Sequence, residues 1–283
     1  MWTVRETTAK SILTPVTGFL KEAGFTHSLT PARNCTYGCL YCYVPTMRLF
    51  GGLQREDWTH WGQFTTLKTN AAELLTRSRH AGQVIYCSPL VDPYQPTERE
   101  RPLMPDILQE LIRRPPAVFV FQTRGPLILR DIDLVRELAQ ASTVRISFSI
   151  TTDRDDVRRR YEPHCESNQV RLRAIRQLRD AGLEVYATLA PLLPCNPEAL
   201  AQLAIEASGR DLIGDPLHIR PTKAHGATTR ETAFEVARRY GEEKWLEPQF
   251  QIEIVESITR RAKAAGLDFS VGPAGFGRLA RLR

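Results

Sequence analysis

The sequence predicts an α/β fold built on a largely parallel sheet with helices outside it. Apolar strand-like runs rich in Val, Ile, Phe and Tyr recur along the chain, and buried or half-buried strands have that composition. Between these runs lie stretches with the apolar spacing of a single helix face. Strand and helix in regular alternation give parallel strands joined by helical crossovers. Periodicity leaves a closed barrel, a partial barrel and an open doubly wound sheet all standing. In each of them chemistry gathers at the C-terminal ends of the strands.

The expected strands cover residues 25–29, 84–87, 118–122, 144–150, 184–189 and 217–219, with a short last one at 268–271. The clearest helices cover 70–80, 106–113, 131–140, 167–181 and 197–208. Asp131 and Ser167 stand where N-caps belong, Gly182 follows a helix as a C-terminal glycine does, and Pro197 suits a first turn behind Asn196. After residue 219 a polar loop over 220–229 leads to helical stretches at 231–240 and 248–265, then to a Gly-rich basic tail over 272–283. The expected organisation is an N-terminal segment 1–24, a core 25–220 and a C-terminal extension 221–283 packed on that core.

The chain has 283 residues, 42% hydrophobic and 25% charged, an ordinary globular composition. Lys and Arg number 38 against 32 Asp and Glu, a net charge of +6. That mild excess is compatible with a nucleic-acid partner without requiring one. No apolar run is long enough to cross a bilayer, and the N-terminus lacks the apolar stretch of a secretory signal. The expectation is a cytoplasmic monomer away from membranes.

Six cysteines are present, and three of them, Cys35, Cys39 and Cys42, form a C-x3-C-x2-C segment just after the first expected strand. Thiolates are the soft ligands of iron–sulfur clusters, and Gly38 can supply the backbone angles that a tight wrap needs. A four-iron cubane needs four ligands, and this loop offers three. The next cysteine, Cys87, is far along the chain. One iron would therefore stay open, as catalytic metal sites require. A three-cysteine zinc site, or a non-catalytic iron–sulfur module, is the plainer alternative.

C-x3-C-x2-C with Tyr41 before the third cysteine resembles the signature of the radical S-adenosylmethionine (SAM) superfamily. The segments GCLYCYVP, DPYQPTE, TRGPLILRD, SFSITT and the stretch from EPH to AGLEV are similar to the branch grouped with spore photoproduct lyase. The resemblance runs from about residue 26 to about residue 220. It implies a partial (β/α)6 TIM-type barrel with a C-terminal helical extension. It also implies a [4Fe-4S] cluster on Cys35, Cys39 and Cys42 whose free iron binds SAM, with reductive cleavage to a 5′-deoxyadenosyl radical that takes hydrogen from a substrate. A nucleic-acid base lesion is one substrate class and a peptide or small metabolite another. A flavodoxin or ferredoxin-type electron donor goes with the class.

The resemblance assigns further residues. Ser88 and Asp92, after the second strand, are placed for the SAM amino group, with Tyr94, Gln95 and Glu98 as weaker pocket candidates. Cys87 resembles in placement a cysteine that returns hydrogen to the product radical, although a free cysteine is most often a small buried hydrophobe. Arg124, after the third strand, suits the SAM carboxylate. Ser149 and Thr151, after the fourth, can reach the ribose. Arg160, Glu162 and His164 lie on a loop expected over the site. Residues 189–194 are expected against adenine. Arg220, His27 and His225 are further mouth candidates. Arg171, Arg173, Arg176 and Arg179 read as an exposed helix face.

Overall fold

The computed structural model describes residues 2–48, 52–220 and 228–282. Its strands are β1 (Thr3–Thr7), β2 (Leu13–Pro15), β3 (His27–Leu29), β4 (Ala32–Arg33), β5 (Phe64–Lys68), β6 (Val84–Cys87), β7 (Val118–Thr123), β8 (Thr143–Ser149), β9 (Glu184–Leu189), β10 (Leu212–Gly214) and β11 (Phe269–Val271). Eight of them form one sheet in the order β11-β10-β9-β8-β7-β6-β3-β2, parallel throughout except for β2 against β3. The two edges, β2 and β11, do not pair, so the barrel is partial. A small second sheet, β1-β5-β4, stands beside it.

Side-chain alternation along the strands explains the layers. Phe119 and Phe121 of β7 join Ile107 and Leu111 of helix Met104–Arg113 and Leu138 of helix Ile132–Ala141 in the large core. Val118 and Val120 point the other way, into a separate cluster with Phe25, Tyr86, Ile213, Phe276 and Leu279. That second cluster closes one end of the barrel interior.

Most expected elements form within a residue or two of their predicted limits, and helix Pro197–Ser208 forms as expected. Asn196 caps it by accepting from the N–H groups of Glu198 and Ala199, and Gly209 ends it in the left-handed region. Two expectations are corrected. Residues 217–219 are irregular, and the sixth crossover strand is β10 instead. Its three residues begin after a two-residue gap beyond the Gly209 cap and pair with both β9 and β11, too short a run to stand out by alternation. The Gly-rich tail folds as helix Gly272–Ala280, because Phe276 and Leu279 have an apolar cluster to enter. The N-terminal segment, for which no strands were expected, supplies β1, paired with the distant β5, and β2, paired with the next strand, β3. Residues 221–227, with His225 and the Pro221–Lys223 stretch, lie outside the described residues.

Candidate active site

The thiol loop follows β4 directly. Asn34 begins it with φ +59° and holds it to the β4–β5 connection, its amide accepting from Gly62 N–H (2.8 Å) and donating to His60 O (3.1 Å). Gly38 and Gly62 both have positive φ and touch back to back; a Cβ on Gly62 would meet Gly38 Cα at 2.7 Å. The β6–β7 connection clamps the loop from another side. Gln95 accepts from the Thr36 N–H (2.7 Å) and hydroxyl, Tyr37 donates to Tyr94 O (3.1 Å), and the Asp92 N–H donates to Cys35 Sγ (3.5 Å). The C-terminal extension adds a third hold, Thr232 donating to Leu40 O.

Cys35 and Cys39 are buried, and Cys42 is half-buried beside the exposed Tyr43. Burial raises the Cys35 thiol, and it pushes Cys42 up to about 12. Cys39 moves the other way, because a hydrogen bond from the Cys165 thiol and the Arg124 charge outweigh burial. Arg230 lies close enough to act on Cys39 and Cys42 as well. The donor set fits an iron–sulfur cluster: three thiols on one loop, N–H groups aimed at sulfur, and cations alongside. Among the described residues, no three His, Cys, Asp or Glu side chains meet within reach of a single ion. Ligands to a cubane stand further apart than that.

Glu162 ties this loop to the strand ends. Its Oε1 accepts from Tyr41 (2.5 Å), Arg124 (2.6 Å) and Thr151 (2.8 Å), and its Oε2 accepts from Arg171 (2.7 Å). Burial opposes ionisation, but Arg171, Arg124 and the two hydroxyls outweigh it and hold the carboxyl down to about 2. Gly125 follows Arg124 because Tyr94 O and Tyr37 Oη crowd the place of a Cβ.

The structure gathers Tyr41, Arg124 and Thr151 around Glu162. Ser149 lies in the adjoining barrel interior, accepting from Gln122 (2.9 Å) in a polar layer with Ser147, Thr188 and Tyr86. Ser88 is buried and donates to Thr30. Asp92 serves the loop: its carboxylate accepts from the Thr123 hydroxyl and from the N–H groups of Tyr94 and Arg124. Two candidates fall elsewhere. Cys87 has no exposure and packs in the helix-side core with Leu29 and Phe121, since strand alternation turns it away from the interior that Tyr86 faces. Arg160 is taken up by Asp156, Glu242 and the Tyr240 ring.

Arg171 is a correction in the opposite sense, fully buried where an exposed face was expected. Its spacing from Ile175 and Leu178 puts it on the core stripe of helix Asn168–Asp180, a signal that its charge obscured. Cys165 and Arg230 are recognisable only by contact across the fold.

Residues 29–204 match the Radical SAM superfamily. The chain belongs to that superfamily. Among curated relatives, an uncharacterized protein of Methanocaldococcus jannaschii is 29% identical over 160 residues, covering 56% of this chain and 58% of that protein. An uncharacterized protein of Mycobacterium tuberculosis is 29% identical over 208 residues, covering 69% of this chain and 60% of that protein. The radical SAM chain thus spans less than two thirds of the length of these relatives. Its fold is that of spore photoproduct lyase. One such structure superposes with a TM-score of 0.59 at 13% identity, covering 95% of this chain and 81% of that one. Another, with bound AdoMet and dinucleoside spore photoproduct, gives 0.55 at 15% identity, covering 85% and 67%. No helix among the described residues is long and apolar enough to cross a membrane.

Proposed function

We propose that this chain is a radical SAM enzyme that holds a [4Fe-4S] cluster on Cys35, Cys39 and Cys42 and acts on a nucleic-acid base. When bound, the reduced cluster and SAM supply a 5′-deoxyadenosyl radical for hydrogen abstraction. The observation that carries the reading is the Tyr41–Glu162–Arg124 contact. It sets the three-thiol loop directly against the C-terminal ends of β7 and β8, where barrel sites lie.

Around that contact the protein binds and shields. Arg124 offers a guanidinium to the SAM carboxylate. Ser149, in the polar interior, is the residue this reading assigns to the ribose. The packed loop around Tyr37, Tyr94 and Gln95 keeps water from Cys35. The nucleic-acid substrate is supported by the net charge of +6 and by the dinucleoside lesion bound in a structure of the same fold.

Anaerobic reconstitution tests both parts. The expected result is a brown protein that forms 5′-deoxyadenosine from SAM and dithionite, faster with ultraviolet-irradiated DNA. A colourless zinc protein without SAM cleavage rejects the enzyme. Rate enhancement by a peptide and not by DNA rejects the substrate class.

A further inference from the structure

The Glu162 carboxylate is heavily engaged. It accepts four hydrogen bonds, three on Oε1 from Tyr41, Arg124 and Thr151 and one on Oε2 from Arg171. Its side chain has 0% exposure, so it meets neither substrate nor cofactor. Two guanidinium groups face this one carboxylate. Arg171 is wholly buried, whereas Arg124 keeps 15% of its side chain exposed. Arg171 is held further by Asn168 Oδ1 at 2.7 Å. Asp92 bonds the backbone N–H of Arg124, and its charge also acts on that residue. Glu162 is thus shared between two guanidinium groups, and of the two Arg124 is the one that is partly exposed.

The consequence concerns Arg171. With Glu162 and Arg124 alone, the pair would be neutral and its guanidinium already occupied. Arg171 supplies the counter-charge to Glu162 from behind, so Glu162 can fix Arg124 in place while its own charge is shared between the two. We propose that Glu162 and Arg171 are positioning residues for SAM: together they hold Arg124 beside the thiol loop with its charge available to the methionine carboxylate. This rests on the radical SAM reading above and adds to it how the strand-end cation is kept competent.

The test uses the reconstituted protein with its cluster kept oxidised, so that SAM binds without being cleaved. Calorimetry compares SAM with 5′-methylthioadenosine, which keeps the adenosine and a thioether sulfur but lacks the amino and carboxylate groups of the methionine arm. Glu162→Gln and Arg171→Gln are each expected to weaken SAM binding about tenfold or more, the effect of one charge-assisted hydrogen bond. Binding of methylthioadenosine should change by less than about twofold, within the scatter expected of a contact left untouched. Arg171→Gln leaves Glu162 paired with Arg124, so it keeps the test open if Glu162→Gln fails to fold. A folded variant that binds SAM as the unmodified protein does, or that loses both ligands equally, overturns the proposal. An unmodified protein that assembles no cluster or binds no SAM breaks the radical SAM reading instead.

Discussion

The two ends of the barrel interior are filled by the same strands with opposite chemistry. Near the start of β7, Val118 and Val120 face Phe25, Ile213, Phe276 and Leu279. Further along, Gln122 and then Arg124 face hydroxyls and a carboxylate. One end is held by apolar area, which tolerates small shifts, and the other by directional bonds to buried charge, which do not. The comparison teaches that stability and chemistry are separated along a strand's length, a few residues apart.

The largest effect belongs to the thiol loop. Replacing Cys35, Cys39 or Cys42 with Ala should take iron from about four atoms per chain to near none on reconstitution, since a cubane here has only three protein ligands. The far end should be unmoved, with thermal unfolding of the metal-free protein close to that of the unmodified chain. An intact cluster in any one variant would break the separation.

Phe276→Ala attacks the other end. Phe276 is buried and meets Phe19 edge to face, ring centroids 5.3 Å apart. Its truncation should cost about 3–4 kcal/mol in urea unfolding while iron and SAM binding persist. Loss of the cluster in a folded Phe276→Ala protein would mean that the two ends are not independent.

Acid sharpens the contrast. The Glu162 carboxyl is depressed from 4.5 to about 2 in the folded state. Its stabilisation is therefore fully present above about pH 4.5 and lost as pH falls toward 2. The amount is on the order of 3 kcal/mol by linkage. Unfolding midpoints measured from pH 5 to pH 2.5 should fall less steeply in Glu162→Gln than in the unmodified protein. Parallel slopes would remove Glu162 as the source.

The smallest effect is local. Asn196→Ala removes two N-cap bonds of 3.1 Å each and should cost about 1 kcal/mol. It should leave both ends of the barrel untouched.

Much of this was legible in the sequence because it is local. Strands β6 to β9 and their helices follow alternation and cap chemistry within a few residues, and the thiol loop is one contiguous segment. What escaped depends on contacts between distant residues. β1 and β5 are defined by each other across the chain, and β5, Phe64–Lys68, carries no apolar alternation of its own. The helix Gly272–Ala280 is rich in glycine, and a helix there needs the cluster it enters. At the site, Cys39 was readable from spacing, but its neighbour Cys165 was not. Cys87 was placed at the correct strand end, and the one-residue parity that decides which face it takes put it in the helix layer.

The floor of the barrel has a consequence for how the molecule comes together. Phe19 and Phe25 find their partners in Phe276 and Leu279, nearly the whole chain away. Loop closure over that distance carries an entropic cost before any contact rewards it. Until helix Gly272–Ala280 docks, the early strands would present a greasy, uncovered opening, the kind of surface that recruits other chains. Arg145 marks the finished state by donating to the carbonyls of Leu279 and Arg281, a clasp that can shut only when the rest of the work is done.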